Sequence, residues 1–153
     1  MEIFNIKDKP EFLKEIAELS QREWGSATNT KEEFEQKVNR KIEKIVSVLD
    51  DNRYCKLLLV DNDILIGFIS MFPTDGDERQ DLTPWYATMY VKKEYRGKGY
   101  SKILNDAILE EARNRGFRKL YLKSELENYY EKFGAKYMET LNNGEKLFYI
   151  EVW

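Results

Sequence analysis

The sequence contains no histidine. This excludes Ser-His and Cys-His nucleophilic pairs, histidine general bases and HExxH metalloproteases. The single cysteine, Cys55, excludes an internal disulfide framework, and with no histidine beside it too few nitrogen and sulfur ligands remain for a tetrahedral zinc site. No metal is expected. No apolar run approaches the ~20 residues needed to span a bilayer, and the segment 1–10 lacks the apolar stretch of a signal peptide. The expected compartment is therefore the cytoplasm, with no membrane partner. A basic excess is missing too. The net charge of −3 argues against a general nucleic-acid binder, whose footprint is a basic surface. The chemistry left open uses carboxylates, tyrosine, lysine, backbone amides or a cofactor.

The residues present have an ordinary globular balance. Apolar residues make up 42% and charged ones 35%, which argues against disorder. At 153 residues without repeats, low-complexity tracts or linkers, one domain over 1–153 is expected. Residues 1–6 read as a strand, and 9–24 as a helix with Phe12, Leu13, Ile16, Ala17, Ser20 and Trp24 on one face. Thr30 and Glu33 form a capping box for a second helix that runs to Leu49. Residues 55–60 and 64–71 form a hairpin about Asp61-Asn62-Asp63. A polar loop over 72–83 precedes a strand over 84–91. A basic turn over 92–98 leads to a helix over 99–115, and a strand follows over 118–123. Strand, helix and strand at this spacing predict a parallel βαβ unit. Ser124 and Glu127 suggest a capped short helix to Phe133, and strands over 136–141 and 146–152 close the chain through Asn142-Asn143-Gly144. The fold class is α/β (α+β), with a mixed, mostly antiparallel sheet and the order β-α-α-β-β-β-α-β-α-β-β.

The segment Tyr95-Arg96-Gly97-Lys98-Gly99-Tyr100-Ser101 joins the strand over 84–91 to the helix over 99–115. Glycines there let backbone N–H groups face a ligand, and the helix adds the positive end of its dipole. Lys92, Lys93, Arg96, Lys98 and Lys102 surround the turn, with Glu94 opposing. In an acidic chain, this local excess points to a small polyanion such as a pyrophosphate. It is neither a Walker A loop nor a dinucleotide GxGxxG, since neither spacing occurs.

On these residues the sequence resembles the GNAT superfamily of acetyl-CoA-dependent N-acetyltransferases. The family's Gln/Arg-x-x-Gly-x-Gly/Ala signature falls on Arg96, Gly99 and Ser101, where serine departs from the usual glycine or alanine. Thr83-Pro84-Trp85-Tyr86-Ala87, Leu120-Tyr121-Leu122 and Trp24-Gly25 resemble a bacterial branch with a Pro-Trp opening to its fourth strand. Tyr130-Glu131-Lys132-Phe133-Gly134 is similar to the family's Tyr-x-Lys-x-Gly segment. The order of elements matches over nearly the whole chain.

The resemblance implies acetyl-CoA as co-substrate and acetyl transfer to a primary amine, in a small molecule or at a protein N-terminus. It implies a cofactor site at Arg96, Gly97, Lys98, Gly99, Tyr100 and Ser101, with the backbone of Met89, Tyr90 and Val91 on a splayed fourth strand. Tyr130 is implied as the acid that protonates the departing thiolate, with Tyr129 as the alternative. A tyrosine hydroxyl, at an ordinary pKa of about 10, can donate to a thiolate of about 8.5. The strand over 84–91 carries no acid, so the general base stays open among Asp75, Asp77, Glu78, Asp81, Glu125, Glu127 and water, or the amine arrives already neutral. That missing acid motivates a second reading, a non-catalytic acyl-CoA-binding sensor or interaction module. Trp24, Trp85 and Tyr86 are candidates to wall an acceptor pocket, and plain core packing suits each of them at least as well. A monomer and a homodimer both fit.

Overall fold

The structure, a computed structural model, describes residues 1–126 and 128–153. Ten regular elements alternate along it. They are β1 (Glu2–Asn5), α1 (Leu13–Trp24), α2 (Lys31–Val48), β2 (Cys55–Asp61), β3 (Ile64–Phe72), β4 (Trp85–Val91), α3 (Tyr100–Asn114), β5 (Lys119–Ser124), β6 (Lys136–Thr140) and β7 (Lys146–Glu151). The seven strands form one sheet in the order β1-β2-β3-β4-β5-β7-β6. Every neighbouring pair is antiparallel except β4 with β5.

Local chemistry accounts for most boundaries. Thr30 Oγ1 accepts the Glu33 N–H at 3.0 Å, and the Glu33 carboxylate accepts the Asn29 N–H, so α2 begins in a near-reciprocal cap. The first helix starts later than its periodicity suggests. Two 3₁₀ turns, Ile6–Asp8 and Pro10–Phe12, occupy the lead-in, and Lys9, the residue before Pro10, lies outside the helical region at φ −135° and ψ 58°. The expected short α-helix before Phe133 is instead a 3₁₀ turn over Tyr130–Phe133. Glu127, half of its expected capping box, lies outside the described residues. Ser124 Oγ accepts the Leu126 N–H at 3.0 Å.

The sheet is covered on both faces. On one, Leu104, Ile108 and Ala112 of α3 pack on Leu57, Leu59 and Ile66. On the other, Ile16 of α1 and Ile45 of α2 meet Leu58, Val60 and Phe68. β2 is therefore buried throughout Cys55–Val60, with alternate residues entering opposite layers. Full burial of each Leu or Ile contributes about 1.5–3 kcal/mol, so these two layers hold the frame on which the loops sit.

Two irregularities in β4 shape the centre of the molecule. Its register against β3 shifts between Phe68 and Ser70, and Thr88 adopts φ +49°. A positive φ on a β-branched residue is strained and marks a bulge. β4 then parts from β5. The parallel ladder holds only Trp85 opposite Tyr121, where the Tyr121 N–H also donates to Pro84 O at 3.1 Å. Past that point no ladder partner occupies the β5 side of β4 among the described residues.

Candidate functional site

The mouth of this splay is a cleft of about 500 Å³. Met89, Tyr90 and Val91 form its strand edge. Gly67 on β3 supports that edge. A Cβ there would lie 2.4 Å from Tyr90 O, so only glycine lets β3 approach the kinked strand.

The loop after β4 forms the next wall. Gly97 and Gly99 have φ +77° and +83°, and Gly99 is the N-cap of α3, with no side chain capping the first turn. Tyr100 and Ser101 open the helix and line the cleft with Arg96 and both glycines. Left-handed glycines running into an uncapped helix start leave N–H groups turned outward beside a positive dipole end. The residues present fit a pyrophosphate. A Cβ at Gly97 or Gly99 would meet nothing within 4 Å, so φ and the approach of a ligand, not internal packing, favour glycine.

The basic cluster is less free than its spacing suggests. Lys92 pairs with Glu15 at 2.7 Å and Lys102 with Asp106 at 2.7 Å. Lys98 does not line the cleft; its ammonium lies 5.9 Å from the Tyr95 ring centroid. Arg96 donates through Nε to Val91 O at 2.7 Å, and its guanidinium stacks over Tyr90 at 5.4 Å. Arg96 thus braces the loop on the strand end, with its terminal nitrogens left over.

The far wall carries Leu126, Tyr129 and Tyr130. The Tyr130 ring meets Tyr86 edge-on at 6.0 Å and Tyr129 at 4.8 Å. Its hydroxyl has no hydrogen-bond partner among the described residues. Burial, and secondarily Tyr129, raises its pKa, which keeps the proton on the oxygen. Glu23, at the end of α1, also lines the cleft, although its place in the helix periodicity carries no such signal.

A second cleft, of about 590 Å³, opens one residue earlier on β4, at Thr88. Trp24 lines it, 46% exposed and edge-on to Tyr90 and Phe68. Trp85 and Tyr86, the other two candidates for such a wall, line neither cleft. Trp85 is fully buried and donates its indole N–H to Leu82 O at 2.8 Å, while the Tyr86 hydroxyl donates to Asn105 Oδ1 at 2.9 Å. Inward packing and satisfied polar tips make both core residues.

Among the described acids held open as bases, only Asp75 reaches this second cleft. Burial raises its pKa. Asp81 is ion-paired with Arg79 at 3.0 Å, and the Glu78 carboxylate accepts the Asn142 N–H at 3.3 Å. Asp77 and Glu125 are exposed and line neither cleft. Sequence reading missed Lys56. It is 3% exposed, lines the second cleft, and donates to Ser70 Oγ at 2.6 Å, which accepts in turn from Thr88 Oγ1 at 2.7 Å.

Comparisons with known proteins agree with this architecture. The acetyltransferase (GNAT) family model matches residues 13–135. An N-alpha-acetyltransferase 30 from Schizosaccharomyces pombe is 32% identical over 80 residues, 49% of this chain and 53% of that protein. The chain thus spans about half the length of the curated relative it matches. An aminoglycoside 6'-N-acetyltransferase solved with coenzyme A superposes with a TM-score of 0.75 at 17% identity, covering 100% of this chain and 98% of the other. A spermidine N-acetyltransferase from Vibrio cholerae gives 0.70 at 19%, covering 99% and 95%. At these identities the structural matches show the fold.

Proposed function

The chain belongs to the GNAT acetyltransferase family, and from that premise we propose that residues 1–153 form one N-acetyltransferase domain that moves an acetyl group from acetyl-CoA to a primary amine. One observation carries this reading. The bulge at Thr88 and the parting of β4 from β5 open a cleft that runs from the strand edge at Met89–Val91 to the left-handed glycines at the start of α3. An intact ladder would use the strand-edge N–H groups for pairing.

In this reading, the amides of Gly97, Gly99, Tyr100 and Ser101 hold the pyrophosphate of acetyl-CoA, with Arg96 bracing the loop. The β4 edge at Met89–Val91 takes the pantetheine arm and the acetyl oxygen. Donors fixed in a strand need little reorganisation as charge develops on that oxygen. The amine nitrogen forms its bond to the acetyl carbon, the carbon–sulfur bond breaks, and the Tyr130 hydroxyl gives its proton to the sulfur. Asp75, which lines the second cleft and whose pKa burial raises, takes the proton the amine loses in this reading, directly or through water.

The test is binding followed by turnover. Saturating acetyl-CoA should stabilise the protein by about 2.7 kcal/mol at a hundredfold excess over Kd, and some member of a broad amine panel should release free CoA thiol. Absence of both a thermal shift and calorimetric heat would sink the cofactor site. Tight binding with no thiol release from any amine would favour the sensor reading.

A further inference from the structure

The second cleft holds an imbalance of charge that the transfer chemistry does not use. Its acids are matched by cations. Asp51 pairs with Arg53 at 2.8 Å, and Asp75 faces the Lys123 ammonium at 3.9 Å. Its other cations are Lys41, Lys44 and Lys56, and none of these forms an ion pair among the described residues. Lys37 and Lys44 press on Lys41 with like charge.

Two buried polar groups in the same cleft have bonding capacity left over. The Lys56 ammonium has three donors and uses one, on Ser70. Tyr54 is 2% exposed, lines the cleft, and has a hydroxyl with no hydrogen-bond partner among the described residues. Leaving such groups unmet in a low-dielectric wall is costly, and an anion would meet them. Trp24 and Phe72 add aromatic surface beside them.

We propose that this cleft is the acceptor site and selects an amine that also carries a carboxylate or a comparable anionic group, held by Lys41, Lys44 and Lys56 against the aromatic wall of Trp24. The proposal rests on the transferase reading above and narrows it. Multiply cationic acceptors such as polyamines or aminoglycosides would meet Lys41 and Lys56, neither of them ion-paired among the described residues, and like charge in a partly buried site repels.

The experiment uses two probes of similar shape and opposite charge, benzoate and benzylamine, titrated into the full chain with CoA saturating the first cleft. The Trp24 indole resonance reports occupancy. Benzoate should shift it saturably and bind at least about tenfold tighter than benzylamine, as expected for charge-assisted hydrogen bonds. The paired change Lys41→Glu and Lys44→Glu should erase or reverse that preference while leaving CoA affinity unchanged, since neither residue lines the first cleft. Equal or tighter binding of benzylamine, no effect of benzoate on Trp24, or an undiminished preference in the double variant would each overturn the proposal. If CoA itself fails to bind, the transferase reading fails, whatever benzoate does.

Discussion

The two clefts that meet β4 are built in opposite ways. The first takes most of its polar character from one run of chain, Arg96 to Ser101, where glycine dihedrals and a helix start create the site locally. The second draws on α1, α2, the segment after it, β2, the loop after β3 and one residue of β4, and its chemistry lies in side chains from all of these, among them the buried Lys56 and Tyr54. A site made of backbone amides keeps its charge at any pH and is blocked by a wrong side chain. A site that includes a buried lysine, as Lys56 is, depends on protonation and on whether a counter-ion is present. Substitutions can therefore test whether the two clefts act separately.

Gly99→Asp should have the largest effect, confined to the first cleft. A carboxylate about 5 Å from two pyrophosphate charges costs roughly 3 kcal/mol for each at an effective dielectric of ~20, so acetyl-CoA affinity should fall on the order of 10⁴-fold. Gly99→Ala separates the causes. It carries the left-handed strain of φ +83° without the charge, and should cost only about 1–2 kcal/mol. Calorimetry on both variants, with benzoate titrated in parallel, tests independence. Loss of benzoate binding in Gly99→Asp would mean that the clefts are coupled.

The difference between the clefts also explains what could be read in advance. The loop, the helix after it, the βαβ connection and the Thr30 cap rest on neighbours in sequence, so spacing alone exposed them. The bulge did not show, because Thr88 is an ordinary strand residue whose positive φ accompanies the register shift between β3 and β4. Lys56 was hidden because β2 is buried on both faces, and a lysine in an apolar strand then has no period to violate. Trp85 and Tyr86 stayed open between pocket wall and core because aromatic residues at a strand opening suit both. Their burial and the hydrogen bonds to Leu82 and Asn105 decide for core.

Tyr130→Phe tests the chemistry at the far wall of the first cleft. The ring contacts to Tyr86 and Tyr129 survive, and the hydroxyl has no protein partner among the described residues to lose, so melting temperature and acetyl-CoA affinity should hold. If the hydroxyl protonates the leaving sulfur, kcat should fall by about 10²–10⁴. Tyr129→Phe should lose far less. An unchanged single-turnover rate in Tyr130→Phe would remove it from the acid role.

The smallest effect concerns stability and belongs to the second cleft alone. Burial drives the Lys56 pKa down to about 7, with Lys41 pushing the same way. The rings of Phe68 at 4.9 Å and Phe72 at 5.7 Å attract the cation and oppose this, but desolvation of a fully buried ammonium is the larger influence. The unfolded chain holds that proton up to about pH 10.4. Between about pH 7 and 10 the unfolded state therefore binds more protons than the native state, and stability rises with pH. Cys55 acts in the opposite direction. Its thiol is pushed up to about 12 by burial, so above its ordinary value of 9.0 the native state retains the extra proton and stability falls. Tyr54, also raised by burial, adds to that fall above 10.0. The clean window is pH 7 to 9, where Lys56 should raise unfolding free energy by about 2–3 kcal/mol. Urea titrations at both ends of the window measure it. Lys56→Met, which keeps the length of the side chain and removes the charge, should flatten the slope and stabilise the protein at pH 7. Saturating benzoate should flatten the wild-type slope as well, because a bound carboxylate supplies the counter-ion that lets Lys56 remain protonated in the native state. A wild-type slope unaffected by benzoate would separate Lys56 from the anion site and leave Lys41 and Lys44 to hold it.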